Sequence, residues 1–501
     1  MRNNNNRGAP TEIPQTGFFG HPSGLGILFS VEFWERFSYY GMRALLIFYM
    51  YYAIEDGGLG LEQTTAQSIL SIYGSLIFMT SILGGWIADR ILGTRSATFL
   101  GGVLIIIGHI FLSLPIGGLV ALCISMFFII IGSGLMKPNI SNIVGRLYPK
   151  GDSRMDSGFV IFYMAVNMGA LIAPIALTHF EKTKNFHGGF LIAAIGMGLA
   201  LVIYLLFTRN TLGQVGLKPE DPLSHKEKKL YGKIFGFSTL ALVIAAIIGL
   251  MTQTLTFDLI SYIVLVLGLV LPIVYFTIMI RSKEVSDTER SRVYAFIPLF
   301  VVGVIFWSIQ EQGANVLNVF AKKSADLSLN LFGLEFDFPL TWFQTINPFF
   351  IVVFAPIISF LWKKLDKYEP SLPMKFAIGL MFAGASFILM MVVIMMTGSA
   401  KIAVFWIILS YMICVIGELL ISPTGSSSAV KLAPLKFNAQ MMSLWLLTNA
   451  TAQALNGQLV KLIPILGDRN YFGFIGGFAV LIGIVIFLIT PIIKRSMKGI
   501  H

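Results

Sequence analysis

The chain has 501 residues, of which 56% are hydrophobic and only 12% charged, and its mean hydropathy is +0.79. A soluble protein carries about 25% charged residues and could not cover itself with half that share, and the same composition excludes disordered and disulfide-stapled classes. The net charge of +11 falls in short basic blocks between apolar runs, which is the pattern of a cytoplasm-facing membrane surface and not of a nucleic-acid interface.

A bilayer core of about 30 Å needs about 20 apolar residues in a helix. The polar segment 1–23 has no apolar core of a signal peptide, so it is expected to be a cytoplasmic tail, with the first span acting as the insertion signal. Six spans follow near 24–52, 63–92, 95–115, 118–147, 153–179 and 189–208, an N-terminal bundle over 24–208. The stretch 209–230 is a polar linker. Spans near 231–250 and 257–281 form a pair that carries no Glu, Lys or Arg between Ile234 and Ile280, and it reads as an inserted hairpin, 231–281. Six more lie near 291–321, 341–363, 371–397, 401–432, 437–464 and 470–493, a C-terminal bundle over 291–493 with a cytoplasmic tail at 494–501. The expected fold is therefore all-α and polytopic, with 14 transmembrane helices arranged 6 + 2 + 6, the plan of the major facilitator architecture. Cys123 and Cys414 sit inside apolar runs and read as packing residues, and no metal-ligand spacing occurs.

The positive-inside rule fixes the orientation. With both termini in the cytoplasm, 26 of the 36 Lys and Arg fall on that side and 7 on the other. The remaining three, Arg36, Arg43 and Lys137, lie inside spans, where a charge costs about 2.5–3.5 kcal/mol near the bilayer centre. Glu32, Glu35, Glu311 and Glu418 are buried in spans as well. Such residues face a polar cavity or one another, and their spread over four spans exceeds what packing alone requires. Glu32, Glu35, Arg36, Tyr39, Tyr40 and Arg43 step by about three or four, so they share one helical face about 16 Å long. His109 is the only histidine well inside a span and reads as a packing residue, which leaves proton handling to glutamates.

The run Glu32-Phe-Trp-Glu35-Arg36-Phe-Ser-Tyr39-Tyr40-Gly41 resembles the ExxERFxYYG signature of the proton-coupled oligopeptide transporters. Phe162-Tyr163-Met-Ala-Val-Asn167-Met-Gly169 resembles that family's FYxxINxG stretch, and Gly417-Glu418-Leu-Leu-Ile-Ser422-Pro423 its GExxxSP stretch. Gly85 to Arg95 resembles the general major facilitator loop, and Phe78 stands where many relatives have a tyrosine. The resemblance implies a symporter that imports di- and tripeptides and peptide-like compounds on the proton gradient by alternating access. It implies no cofactor beyond the coupling proton, no nucleic-acid partner, a monomer, and a multi-pass protein of the cell membrane. Glu32, Glu35 and Arg36, with Glu311, would couple the proton. Arg43 and Lys137 would receive the peptide carboxylate and Glu418 its ammonium, with Tyr39, Tyr40, Asn167, Trp307, Asn347, Ser422 and Trp445 lining the cavity. Arg43, Glu311, Lys137 and Glu418 would be gate residues, with Glu311 pairing with Arg43 when the outer gate closes.

The residues support that reading without the resemblance. A zwitterionic dipeptide or tripeptide spans about 7–10 Å and needs a cationic end, an anionic end and an adaptable aromatic middle. Aromatics at these positions also serve as helix packing, and Asn347-Pro348 also suits a kink. A drug or sugar symporter shares the scaffold but does not need these opposed charges, and some relatives of the peptide family carry nitrate or other anions. An enzyme would need a nucleophile–base pair, a metal cluster or a nucleotide loop, and the sequence offers none.

Overall fold

The computed structural model describes residues 13–149, 152, 154–219, 221–331, 334–365 and 368–500. Residues 1–12 of the expected N-terminal tail, with Arg2 and Arg7, and the basic residues Lys150 and Lys367 lie outside the described residues.

The long helices follow the apolar runs. They are α1 Ser23–Tyr51, α2 Gln63–Ile87, α3 Thr94–Ser113, α4 Gly118–Gly145, α5 Arg154–Ala176 and α6 Phe186–Thr211. Next come α7 His225–Met251, α8 Phe257–Arg281, α9 Asp287–Glu311 and α10 Phe343–Leu365. The last four are α11 Leu372–Thr397, α12 Val404–Lys431, α13 Asn438–Leu459 and α14 Ile463–Ser496. Twelve segments of the described residues are long and apolar enough to cross a membrane. The helix α1 is not among them, because Glu32, Glu35, Arg36 and Arg43 lower its hydropathy, and the segment Gln440–Ser496 takes in both α13 and α14.

Several ends differ from the sequence expectation for local reasons. The helix α9 starts at Asp287, four residues before the expected 291, because Ser286 and Glu289 form a capping box. It stops at Glu311, where a π-turn over Gly313–Leu317 leads into a short helix, Asn318–Ser324. The last helix begins at Ile463 and kinks at Gly467, whose φ of 74° only glycine adopts at little cost. A hairpin pairs Ser328–Leu331 with Leu334–Asp337, between the expected spans near 291–321 and 341–363.

The chain separates into two compact units, Met1–Leu59 with Met79–Leu259, and Gly60–Phe78 with Ile260–His501. In the first, α1 packs on α5 and α6, and α3 on α4. A Cβ on Gly101 would stand 2.5 Å from the Gly132 carbonyl, and one on Gly132 would stand 2.6 Å from the Gly101 carbonyl, so α3 and α4 cross with their backbones in contact. Dispersion between close backbones replaces the hydrophobic effect that lipid cannot supply between helices. In the second unit α11 meets α14 in the same way, at Gly384 and Gly476, each 2.7 Å from the other's carbonyl once a Cβ is placed.

The linker after α6 is fastened to the turn between α2 and α3. Arg95 N–H donates to Gly216 O at 2.9 Å, and the N–H groups of Asp221 and Leu223 donate to Asp89 and Arg90 carbonyls at 3.1 Å each. Arg90 pairs with Asp221 and, at 2.8 Å, with Glu227 in the first turn of α7. Beyond that anchor α7 is exposed over nearly its whole length, as a lipid-facing helix should be. By contrast, α8 docks on α13, where Thr451 Oγ1 donates to Gly268 O at 2.7 Å and Gln458 Nε2 to Ser261 Oγ at 2.6 Å.

Candidate functional site

In the first unit the charged stripe of α1 is drawn inward. Arg36 Nε lies 2.9 Å from Glu32 Oε1 and 2.5 Å from Glu35 Oε2, with side chains no more than 5% exposed. One guanidinium thus serves two carboxylates, one of them a helical turn away and the other its sequence neighbour. The Arg36 Cζ stands 5.7 Å from the centre of the Tyr39 ring, and the Tyr39 and Tyr40 rings meet edge-on at 5.1 Å. A close approach of α5 seals this face. A Cβ on Gly169 would fall 2.8 Å from both Arg36 Cβ and the Phe33 carbonyl, which no larger residue allows. Ser38, on the same helix, shares a 2.7 Å hydrogen bond with the buried His109 of α3, so the histidine is part of the packing, as the sequence suggested.

The other residues expected in this unit are placed around that cluster. Arg43 is buried two turns further along α1. Lys137 is partly buried on α4, immediately before Pro138. Asn167 is buried on α5, where its Nδ2 donates to its own helix at Tyr163 O, 3.0 Å away.

In the second unit Glu418 of α12 is buried and held by amides. Asn347 Nδ2 of α10 donates to Glu418 Oε2 at 2.7 Å, and Gln310 Nε2 of α9 donates to the same oxygen at 3.3 Å. The Asn347 side chain therefore has a partner of its own beyond any service to the kink at Pro348. Asn449 Nδ2 of α13 donates to Glu311 Oε1 at 3.0 Å and is itself a partner of Gln453, whose Nε2 donates to Asn449 Oδ1 at 2.8 Å. Asn456 Oδ1 accepts from Ser308 at 2.6 Å and from Gln312 at 3.0 Å, and Gln312 accepts from the Tyr471 hydroxyl at 2.7 Å. Trp445 is buried in a slot of small residues. A Cβ on Gly425 would overlap its ring at 2.1 Å, one on Gly303 would reach it at 2.9 Å, and Phe376 meets it edge-on at 5.9 Å. Trp307 is partly buried and edge-on to Phe306 at 5.3 Å. Ser422 is partly buried, one turn along α12 from Glu418.

Sequence reasoning found Glu418, Glu311 and Asn347 but missed the other amide donors, Gln310 to Glu418 and Asn449 to Glu311. The signal was present. Gln310 and Gln312 flank Glu311 in an apolar segment, and Asn449, Gln453 and Asn456 recur at a spacing of four and three, one face of a helix. Within a membrane such a stripe must find partners, because no water satisfies it there.

The sequence model of the POT family matches residues 95–466. The chain belongs to the POT family. It is 42% identical over 493 residues to the di-/tripeptide transporter of Lactococcus lactis subsp. cremoris, covering 97% of this chain and 98% of that one. An uncharacterized transporter of Bacillus subtilis is 48% identical over 488 residues, with 97% of each chain covered. Among solved structures, a POT family transporter in complex with 5-aminolevulinic acid superposes with a TM-score of 0.95 at 63% identity, covering 96% of this chain and 99% of that one. This member is thus a peptide transporter of a family of proton-coupled di- and tripeptide symporters, built of membrane-spanning helices in the major facilitator manner. Its relatives and structural neighbours are transporters and not enzymes.

Proposed function

We propose that this transporter imports di- and tripeptides into the cell with protons, by alternating access across fourteen spanning helices. It acts as a monomer in the cell membrane with both termini cytoplasmic. The observation that carries the substrate reading is Glu418. It is a buried carboxylate whose hydrogen bonds within its own unit, among the described residues, come from two neutral amides. Amides orient a carboxylate without cancelling its charge, so the site stays attractive to an ammonium. The peptide amino terminus supplies one. Arg43 and Lys137 receive the carboxylate end, and Tyr39, Tyr40, Asn167, Trp307, Asn347, Ser422 and Trp445 contribute to the surrounding surface. A related transporter crystallised with 5-aminolevulinic acid, a ligand with the same pairing of amine and carboxylate, which supports recognition by the two ends.

The proton enters through Glu32 and Glu35. Arg36 holds both carboxylates, and protonating one of them releases the guanidinium to the other. Arg43 exchanges between the peptide carboxylate and Glu311, which makes these two gate residues, and Lys137 and Glu418 are gate residues as well. The test is uptake of a labelled dipeptide into liposomes carrying an imposed proton gradient, with sugars and free amino acids as competitors. The expected result is accumulation that other dipeptides block and the other solutes do not. In Glu32→Gln and Glu35→Gln, accumulation should vanish while peptide counterflow persists. Uptake that ignores the gradient, or that sugars block, overturns the proposal.

A further inference from the structure

The first half of α2, up to Phe78, belongs to the same compact unit as α9 and α13. Two hydroxyls fasten it to α13. Ser68 Oγ donates to Gly457 O at 2.9 Å and Ser75 Oγ to Ala450 O at 2.8 Å. Inside a membrane no water offers these groups an alternative, so the two bonds fix the register of the helices. Within the stretches so joined, α2 carries Gly74 and α13 carries Gln453. A Cβ on Gly74 would stand 1.7 Å from Gln453 Oε1 and 2.5 Å from Gln453 Cδ. The Gln453 amide therefore occupies the place that any side chain on Gly74 would take.

That amide is the far end of a directed chain. An ionised carboxylate accepts hydrogen bonds and offers none, so Glu311 takes the donor side of Asn449, Nδ2, at 3.0 Å. The Asn449 Oδ1 is left to accept, and Gln453 Nε2 donates to it at 2.8 Å. Gln453 Oε1 must then point away from Asn449, and it is Oε1 that lies nearest Gly74. One carboxylate thus sets the orientation of two amides in series, each polarising the next. Asn449 and Gln453 are both buried, one turn apart on α13. That helix is also held by Asn456, which accepts from Ser308 of α9, and by Thr451, which donates to Gly268 of α8. Turning the chain therefore means turning its amides, not the helix beneath them.

We propose that Gln453 is a positioning residue for Glu311, acting through Asn449 and kept in its orientation by the space that Gly74 leaves on α2. The proposal rests on the reading of Glu311 as a gate residue that takes Arg43 once the peptide has left. On that reading the pair serves the empty carrier. Net uptake must return the empty carrier, whereas counterflow cycles only the loaded one. The ratio of proton-driven uptake to counterflow therefore reports on Glu311. A variant that merely folds less well lowers both rates and leaves the ratio alone.

The test measures that ratio for a labelled dipeptide in liposomes holding the full-length transporter. Glu311→Gln sets the scale and should lower the ratio most. Gln453→Ala should lower it about two- to tenfold, the equivalent of one neutral hydrogen bond. Gly74→Ala keeps every polar group and displaces the Gln453 amide, so it should lower the ratio as well. It decides the matter if Gln453→Ala folds poorly. In the double variant Gly74→Ala should add nothing to Gln453→Ala, because no amide is left to displace. A ratio unchanged in either single variant, or a Gly74→Ala effect as large without the glutamine as with it, overturns the proposal. A ratio unchanged in Glu311→Gln overturns it by a separate route, since the reading of Glu311 then fails with the amide chain untouched.

Discussion

The carboxylates of α1 and the carboxylate of α12 are equally withdrawn from solvent and are satisfied in opposite ways. Glu32 and Glu35 share the guanidinium of Arg36. Glu418 takes hydrogen bonds from Asn347 and Gln310. The first arrangement is a closed ionic cluster, in which each group needs the others and a proton arriving at one carboxylate redistributes the rest. The second is a carboxylate that, among the described residues of its own unit, is oriented by neutral amides. A burial cost is offset by an ion pair in α1 and by neutral amides in α12, and the coupling and binding roles proposed for the two sites rest on that difference.

The sharpest way to break the comparison is to remove Arg36. Taking one partner from a buried ion pair costs about 3–5 kcal/mol, because the remaining charge stays buried. Here two carboxylates are stranded, so Arg36→Met should lower the thermal stability by at least that amount and abolish uptake. Adding Glu32→Gln and Glu35→Gln to Arg36→Met should restore much of the stability but no gradient-driven uptake. A single Arg36→Met variant that unfolds at the wild-type temperature would show that the cluster is not closed.

Glu418→Gln should behave differently. The amides that hold Glu418 can also hold a glutamine, so the fold should survive. On the proposed reading, what is lost is the interaction with the peptide ammonium, about 2–5 kcal/mol of affinity. Binding of a dipeptide should weaken accordingly, and binding of its N-acetylated form should change far less. Equal losses for the two ligands would detach Glu418 from the amine.

The contrast was half legible in the sequence. A charge inside an apolar run is conspicuous, so Glu32, Glu35, Arg36 and Glu418 could be named without coordinates. Their partners divide by sequence distance. The spacing of Glu32 and Arg36 on one helical face predicts their contact. The donors to Glu418 come from α9 and α10, at separations of 108 and 71 residues, and no local rule reaches them. The helices themselves were readable, because a span without satisfied backbone groups is not viable in lipid. What escaped was set by side-chain detail at their ends, such as the capping box at Ser286 and the kink at Gly467. Gly169 is an intermediate case. The motif gave its identity, and only the packing shows that its missing side chain is where α5 rests on α1.

That contact supplies a smaller perturbation of the same cluster. In Gly169→Ala the new Cβ would meet Arg36 Cβ and the Phe33 carbonyl at 2.8 Å, below any normal contact, and backbone on both sides limits relief. Overpacking of this kind costs about 1–3 kcal/mol. The expected result is a lower Tm together with a reduced ratio of proton-driven uptake to counterflow, since the strain falls on the residue that carries Arg36. A loss of stability with that ratio unchanged would show that the cluster tolerates displacement of α1.

The smallest effect should come from the same chemistry at the protein surface, where the arginine reaches solvent. Arg154 donates to Asp152, just before α5, through Nη2 at 2.7 Å, with the Arg154 side chain 36% and the Asp152 side chain 13% exposed. Hydrogen bonds from Arg154 hold the Asp152 carboxyl below its ordinary range. A carboxylate depressed in the folded state stabilises above its unfolded pKa of about 3.9 and loses that contribution as pH falls through the lower folded value. Asp152→Asn should therefore lower Tm slightly at pH 7, by no more than about 2 °C, because a pair whose arginine reaches solvent is screened by water and salt. The gap between variant and wild type should shrink in high salt and as the pH falls from about 3.9, closing below the lower folded value, where the wild-type carboxylate is protonated in both states. Arg154 keeps its hydrogen bonds to the Gln15 and Gly20 carbonyls in the variant, so the loop has other anchors. If Asp152→Asn instead destabilised the protein as much as Arg36→Met, burial would not be what gives the α1 cluster its weight, and the distinction between closed and waiting carboxylates would lose its physical basis.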